Sequence, residues 1–349
     1  MGKWETVQFA DVLEIVNGRN QKQVENPNGK YPIYGSGGVM GYADDYLCDA
    51  ETVVIGRKGT ISRPIFVSEP FWNVDTAFGL SAKQSVLIPK YLYYFCKQFD
   101  FEALNTTVTI PSLTKANLLK IQIPLPPLTI QQKIAEALDK ASALIEMRKA
   151  QIEKLDLLIK SQFIEMFGDP VTNPLGLAVN TLSDLALIKA GRNETSDNIH
   201  ELSSEFNYPC FGGNGIRGYV KEYTYEGDYP LIGRQGALCG NVQFASGRFF
   251  PTEHALVVSP IVDYESKWMY FTLKYLNLNR FQTGAAQPGL NVDIINKIVI
   301  PTPSREKQKL FTDFLMLVEK QRKAIEDSLR GLELNYRSLM QKCFCGEIF

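Results

Sequence analysis

The sequence predicts an α+β chain in which two mixed α/β modules are separated by two long helices that pair as an antiparallel coiled coil. Three observations lead there. The 349-residue chain repeats itself at a fixed offset of 177 residues. Each copy opens with a stretch rich in Gly, Tyr, Phe, Val and Ile, the composition of short strands between turns. Each copy then ends in a proline-free heptad pattern, the mark of a coiled coil.

The repeat is visible residue by residue. Tyr31-Pro32-Ile33-Tyr34-Gly35-Ser36-Gly37-Gly38 matches Tyr208-Pro209-Cys210-Phe211-Gly212-Gly213-Asn214-Gly215, and Ile55-Gly56-Arg57-Lys58-Gly59 matches Ile232-Gly233-Arg234-Gln235-Gly236. Pro111-Ser112-Leu113 meets Pro288-Gly289-Leu290, and Lys120-Ile121-Gln122-Ile123-Pro124 meets Lys297-Ile298-Val299-Ile300-Pro301. Asn17-Gly18-Arg19 resembles Ala190-Gly191-Arg192 at a slightly shorter offset. Several blocks in one register identify a duplicated unit. Within it, Thr52-Val53-Val54-Ile55 and Ala255-Leu256-Val257-Val258 read as strands, and the runs from Tyr91 and Trp268 as short helices or buried strands. Pro124-Leu125-Pro126-Pro127 and Pro301-Thr302-Pro303 close the modules, because proline leaves a sheet and suits a helix start. The boundaries are modules at 1–127 and 168–303, with helices at 128–167 and 304–349.

The first apolar seam is Ile134, Leu138, Ala141, Ile145, Arg148, Ile152, Leu155, Ile159, Gln162 and Met166. The second is Phe311, Leu315, Val318, Arg322, Ile325, Leu329, Leu332, Tyr336, Leu339 and Cys343. At about 1.5 Å per residue each helix should run roughly 50 Å, too long for one module to cover. The helices are expected to cover each other. Arg148 and Arg322 interrupt the seams, and a polar core residue can fix register.

Hydrophobic residues make up 45 % of the chain, enough for packed cores. No apolar run reaches the roughly 20 residues that cross a bilayer, and no signal-peptide pattern opens the chain, so a cytoplasmic protein is expected. The cysteines Cys48, Cys96, Cys210, Cys239, Cys343 and Cys345 form no C-x-x-C pair, and His200 and His254 are the only histidines. Neither zinc nor a disulfide framework is expected. No phosphate-loop motif, no methyltransferase Asn/Asp-Pro-Pro-Tyr/Phe motif and no nucleophile–base pair appears. Gly35-Ser36-Gly37-Gly38 has the composition of a phosphate cradle but lacks the strand–loop–helix setting. The expectation is a chain without catalytic residues, metal or cofactor of its own.

Taken together, the Tyr-Pro-x-Tyr/Phe-Gly and Ile-Gly-Arg-x-Gly blocks, the Ile-Pro-x-Pro exits, and the helix starts at Gln131-Gln132-Lys133 and Lys307-Gln308-Lys309 resemble type I restriction–modification specificity subunits. So does the linker Met166-Phe167-Gly168-Asp169-Pro170. The resemblance spans nearly the whole chain. It implies that each module is a target recognition domain reading one half of a split, asymmetric site in double-stranded DNA. It implies helices that space the modules and dock two modification subunits, which carry S-adenosylmethionine and methylate adenine. Restriction subunits using ATP and magnesium can join such a complex. The net charge of −1 stands against a DNA role, since phosphate contacts need Lys and Arg, but a local basic face suffices.

The duplication sorts residues. The modules read different sequences under this reading, so residues shared by both copies suit frame or phosphate contacts: Arg19 with Arg192 and Arg57 with Arg234. Residues that differ suit base readout. These are Ser36 against Gly213, Gly37 against Asn214, Met40 against Arg217, and Lys58 against Gln235. Farther on come Ile110 against Gln287, Ser112 against Gly289, and Thr114 against Asn291. Trp72, Tyr42, Tyr219 and Phe250 are either core residues or platforms for an exposed base. Two other readings compete: a protein-interaction scaffold without DNA binding, which the neutral charge favours, and a nucleotide-using enzyme built on the Gly loops.

Overall fold

The computed structural model describes residues 4–104, 112–236, 239–284 and 289–349. The chain packs as two compact units, one of Met1–Ala150 with Glu326–Phe349, the other of Gln151–Ile325.

The first unit runs through β1 (Thr6–Gln8), α1 (Phe9–Val12), β2 (Leu13–Asn17), β3 (Tyr31–Gly35), β4 (Gly38–Ala43) and β5 (Thr52–Gly56). It continues with β6 (Ile65–Val67), β7 (Trp72–Asn73), β8 (Ala77–Ala82), α2 (Pro89–Gln98), α3 (Lys115–Leu118), β9 (Gln122–Pro124) and the start of α4 (Leu128–Phe167). Its sheets have the orders β2-β8-β5-β6, β4-β3-β7 and β1-β9. The apolar run of β5 is buried along its whole length. Val53 and Ile55 face the cluster with Tyr91, Phe95 and Ile134, while Val54 faces a smaller one with Phe71 and Ala77. A strand covered on both faces needs an unbroken apolar run rather than alternation. Helix α2 opens on Pro89, whose missing N–H costs nothing in a first turn.

The second unit repeats this order. It contains β10 (Val179–Thr181), α5 (Leu182–Leu185), β11 (Ala186–Ala190), β12 (Tyr208–Gly212), β13 (Gly215–Val220), β14 (Tyr225–Glu226) and β15 (Tyr229–Gly233). Then come β16 (Val242–Ala245), β17 (Arg248–Pro251), β18 (Ala255–Pro260), α6 (Ser266–Tyr275), α7 (Val292–Asn296), β19 (Val299–Pro301) and α8 (Arg305–Cys345). The sheet orders β11-β18-β15-β16, β13-β12-β17-β14 and β10-β19 repeat the first unit's connections, with β14 as one added edge strand. Even the irregularity is copied: the hairpins shift register at Ile33/Tyr34 and at Cys210/Phe211. The Gly-Arg motif has a steric cause. A Cβ on Gly18 would stand 1.8 Å from the Val74 carbonyl oxygen, and one on Gly191 2.0 Å from that of Pro251.

The long helices hold 40 and 41 residues, so each extends about 60 Å rather than 50 Å. They begin immediately after the prolines and stay helical past the last seam residue. In the first unit the opening turns of α4 meet the closing turns of α8. Ile134 and Leu138 share a cluster with Met340, Cys343 and Phe344. In the second unit the closing turns of α4 meet the opening turns of α8, through Ile159, Phe163, Phe167, Phe311, Leu315 and Val318. The pairing is antiparallel in both. Every seam position, including Ala141, Ile145, Ile152, Leu155, Ile325, Leu329 and Leu332, is buried or half-buried. One end departs from the heptads. Gln162 and Met166 are half-buried, and Phe163 and Phe167 take the core instead. There α4 faces its module as well as α8, with Phe163 5.5 Å from Phe311 and 6.4 Å from Phe271, ring to ring. Arg322 ion-pairs with Asp156 across the helices, which gives that seam arginine its partner.

A buried glutamine fixes each long helix to its module. Gln131 is fully buried. Its Oε1 accepts from the Ile88 amide at 2.8 Å, and its Nε2 donates to the carbonyls of Val86 and Pro126 at 2.9 and 2.8 Å. Gln308 repeats this with the Glu265 amide at 2.9 Å and the Pro303 carbonyl at 3.0 Å. A second tie joins α2 to α4 through Lys90–Asp139 at 3.1 Å and α6 to α8 through Lys267–Glu319 at 2.7 Å. No helix among the described residues is long and apolar enough to cross a membrane.

Gln131→Ala strands the Ile88 N–H and two carbonyls, and should cost about 2–3 kcal/mol. Gln308→Ala should cost the same around Glu265. Hydrogen exchange at the Ile88 and Glu265 amides reads this out, and unchanged protection in both variants would remove the glutamines' role.

Candidate nucleic-acid interface

In each unit a hairpin tip and a loop come together. In the first, the tip Ser36-Gly37 joins β3 to β4, and Ser36 lies against Gly56 at the end of β5. The loop Arg57-Lys58-Gly59 follows. The Arg57 amide donates to the Thr76 carbonyl at 2.8 Å, and the Arg57 carbonyl accepts from Leu113 at 2.9 Å. Lys58 forms a β-bridge with Ser112. Gly59, at φ +79°, turns the chain where a side chain would be strained. The second unit has the same construction. The Arg234 amide donates to the His254 carbonyl at 2.9 Å, its carbonyl accepts from Leu290 at 2.8 Å, Gln235 bridges Gly289, and Gly236 has φ +86°. Gly213 of the tip faces Gly233 and Gln235.

Backbone hydrogen bonds hold these loops on both sides. Arg57 is exposed, its guanidinium 5.6 Å from the Phe78 ring centre. Arg234 is half-buried, and Lys58 and Gln235 are exposed. Arg19 and Arg192 are exposed too, their amides donating to the carbonyls of Asn73 at 2.8 Å and Pro251 at 3.0 Å. Among the described residues, no carboxylate pairs with Arg19, Arg57, Lys58, Arg192, Arg217 or Arg234. Arg248, Arg305, Arg322 and Arg330 are all ion-paired. A chain of net charge −1 thus leaves these loop cations unneutralised, which is what phosphate binding requires.

The divergent positions fall into groups. Met40 and Arg217 occupy one place, each side chain lying across the glycine that ends the preceding strand, Gly35 or Gly212. Asn214 sits at the second tip, where its Oδ1 accepts from Asn241 Nδ2. Thr114 and Asn291 are different. Thr114 Oγ1 accepts from the Asn117 amide at 3.2 Å to cap α3, and Asn291 Oδ1 accepts from the Asp293 amide at 2.9 Å to cap α7. Thr and Asn are both good caps, so their difference has a structural cause and these two leave the readout set. Ile110 and Gln287 lie outside the described residues. Among the aromatics, Trp72 and Phe250 are buried at equivalent core positions, and Trp72 donates to the Arg19 carbonyl at 3.0 Å. Tyr42 is exposed and Tyr219 half-buried on the outer hairpin strands.

Two polar residues escape comparison at the constant offset. Strand register pairs Val54 with Ile65 and Leu231 with Gln243, so Gln243 takes the place of Ile65. Continuing the same register by two residues sets Asn241 in the place of Arg63. A one-residue insertion hides the match in the sequence.

Comparison with known proteins agrees with this duplicated construction. The family described as type I restriction modification DNA specificity domain matches residues 1–157 and again 174–333. The type I restriction enzyme EcoprrI specificity subunit of Escherichia coli is 34 % identical over 286 residues, which are 75 % of this chain and 69 % of that protein. The fold matches a crystal structure of the type I restriction–modification S subunit from M. genitalium, with TM-score 0.68, 20 % identity, and coverage of 98 % of this chain and 96 % of that one. A chain from a study of complex assembly and conformational transition in the type I system matches with TM-score 0.61, 16 % identity, and coverage of 99 % and 98 %. The chain therefore belongs to the family of type I restriction–modification DNA specificity domains. Within it, the two-copy organisation is that of a specificity subunit, the non-catalytic component that recognises DNA sequence.

Arg57→Ala and Arg234→Ala should each weaken modification uniformly across sites and lower the slope of log affinity against log salt by about 1. Methylation mapping with a salt series on the assembled complex measures both. A change of sequence preference would instead make these arginines base readers.

Proposed function

We propose that the modules at 1–127 and 168–303 are target recognition domains, each reading one half of a split, asymmetric site in double-stranded DNA. The observation carrying this is that both units hold the same pinned arginine loop beside a hairpin tip whose residues differ. Arg19, Arg57, Arg192 and Arg234 serve as backbone clamps. Ser36, Lys58, Ser112, Asn214, Arg217 and Gln235 are the described readout candidates. Half-sites one helical turn apart lie about 34 Å from each other, within the length of either helix.

The helices at 128–167 and 304–349 then act as spacer and as docking site for two modification subunits. Those subunits supply S-adenosylmethionine and methylate adenine, and restriction subunits using ATP and magnesium complete a cleaving complex. This work takes place in the cytoplasm. Support for docking comes from apolar residues left uncovered. Leu157 and Leu334 occupy the same place in the two copies and are 63 % and 65 % exposed. Two like apolar spots suit two copies of one partner.

Methylation mapping of the genome encoding the chain tests the reading: a two-part motif with a modified adenine in each half is expected. Inserting one heptad in register into both helices adds about 10 Å of rise and should lengthen the gap between half-sites by roughly three base pairs. An unchanged gap would end the ruler role. Leu157→Asp and Leu334→Asp should each lower recovery of the modification subunit on co-purification while leaving the helices folded by circular dichroism; full recovery from the double variant would move docking elsewhere.

A further inference from the structure

We propose that Asn214 and Asn241 form a paired carboxamide reader that selects an adenine in the half-site of the second unit, with Gln243 and Gln235 flanking it. The proposal rests on the reading of each unit as a half-site reader and names the base class for one of them.

The hydrogen bond from Asn241 Nδ2 to Asn214 Oδ1 joins the hairpin tip to the segment leading into β16. Each carboxamide has one acceptor oxygen and one donor nitrogen. After one bond between them, the oxygen of Asn241 and the NH2 of Asn214 are wholly free, while Asn241 Nδ2 and Asn214 Oδ1 keep one N–H and one lone pair. Turning both amides over exchanges the roles and leaves the same set, one donor beside one acceptor. Among the edges of single bases in the major groove, only adenine offers an acceptor, N7, next to a donor, N6. Guanine offers two acceptors there, and a carboxamide pair meets one of them with oxygen against oxygen.

The surroundings hold the pair in place. Asn241 is fixed at its backbone, its carbonyl accepting from Gly233 at 2.8 Å, and Gly233 begins the arginine loop. Asn214 is exposed and Asn241 half-buried. Gln243 approaches Gly215 of the same tip, and neither Gln243 nor Gln235 has a side-chain hydrogen bond among the described residues. Arg234, which clamps phosphate in the proposed function, is the next residue along that loop. The first unit has no such pair. Gly37 matches Asn214, and Arg63 and Ile65 stand where Asn241 and Gln243 do. Its cations, Arg63 and Lys58, are donors only. This carboxamide pair therefore has no counterpart at the matching described positions of the first unit.

The test is methylation mapping in the natural host carrying Asn214→Ala, Asn241→Ala or the size-preserving Asn241→Asp in the full-length gene. Both Ala variants should lose discrimination, by about tenfold or more, at the same A·T pair in one half of the motif, a pair other than the modified one. The Asp variant turns a donor-and-acceptor into acceptors alone, and should move preference at that pair toward cytosine. A wild-type motif in all three variants overturns the proposal. So does relaxation in both halves, or at a G·C pair, or loss of all methylation while the complex is still recovered, which would make the pair structural. A wild-type genome without a two-part motif is a separate outcome that removes the half-site reading itself.

Discussion

A 40-residue helix with an apolar stripe along its whole length needs more cover than the module at one end provides. The chain meets this by antiparallel pairing, so that in each unit the opening of one long helix lies against the closing of the other. The module packs onto that pair rather than onto a single helix. In the first unit Tyr91 and Phe95 of α2 reach both Ile134 of α4 and Phe344 of α8. The buried glutamines make the arrangement specific as well as stable. Gln131 and Gln308 bond backbone groups at the starts of α2 and α6 and in the proline exits, and each sits one turn into its helix. The direction in which a helix leaves its module is thereby set by hydrogen bonds rather than by apolar contact alone.

The same economy governs the recognition surface. Backbone hydrogen bonds hold the arginine loops on both sides, and a close crossing at Gly18 or Gly191 permits no side chain. What remains free to vary is the hairpin tip and the strand edge beside it. Side chains can differ at these positions without disturbing the frame, since Met40 or Arg217 can lie over the glycine, and Ile65 or Gln243 can occupy the same strand site. Shared frame residues and divergent residues are separated in space, the arrangement that the proposed division between phosphate and base contacts requires.

Much of this was legible from residues alone. The offset of 177 located matched strands, helices and loops, since a duplicated chain must refold the same way. The heptad seams predicted that the two long helices cover each other, because a helix of that length outruns the module beside it. Three things were not legible. Thr114 and Asn291 looked divergent yet perform one capping task, as chemistry at a helix start is shared by unlike side chains. Phe163 and Phe167 replaced Gln162 and Met166 in the core because a helix end facing two neighbours has a wider stripe than a heptad describes. Asn241 and Gln243 were hidden by a single insertion, which only strand pairing reveals.

The composition of the first unit has a consequence for biosynthesis. Its core joins Phe9 and Leu13 to Met340 and Phe344, whereas the second unit is one continuous stretch from Gln151 to Ile325. During translation the later-encoded unit has all its residues first. The earlier-encoded one waits on the ribosome with the apolar side of α4 uncovered until the end of α8 emerges. Contacts so distant in sequence form slowly, and partly covered intermediates are prone to aggregate. A chain released after residue 325 but before residue 340 would carry all of the second unit and an unfinished first one, the opposite of the order in which they were written.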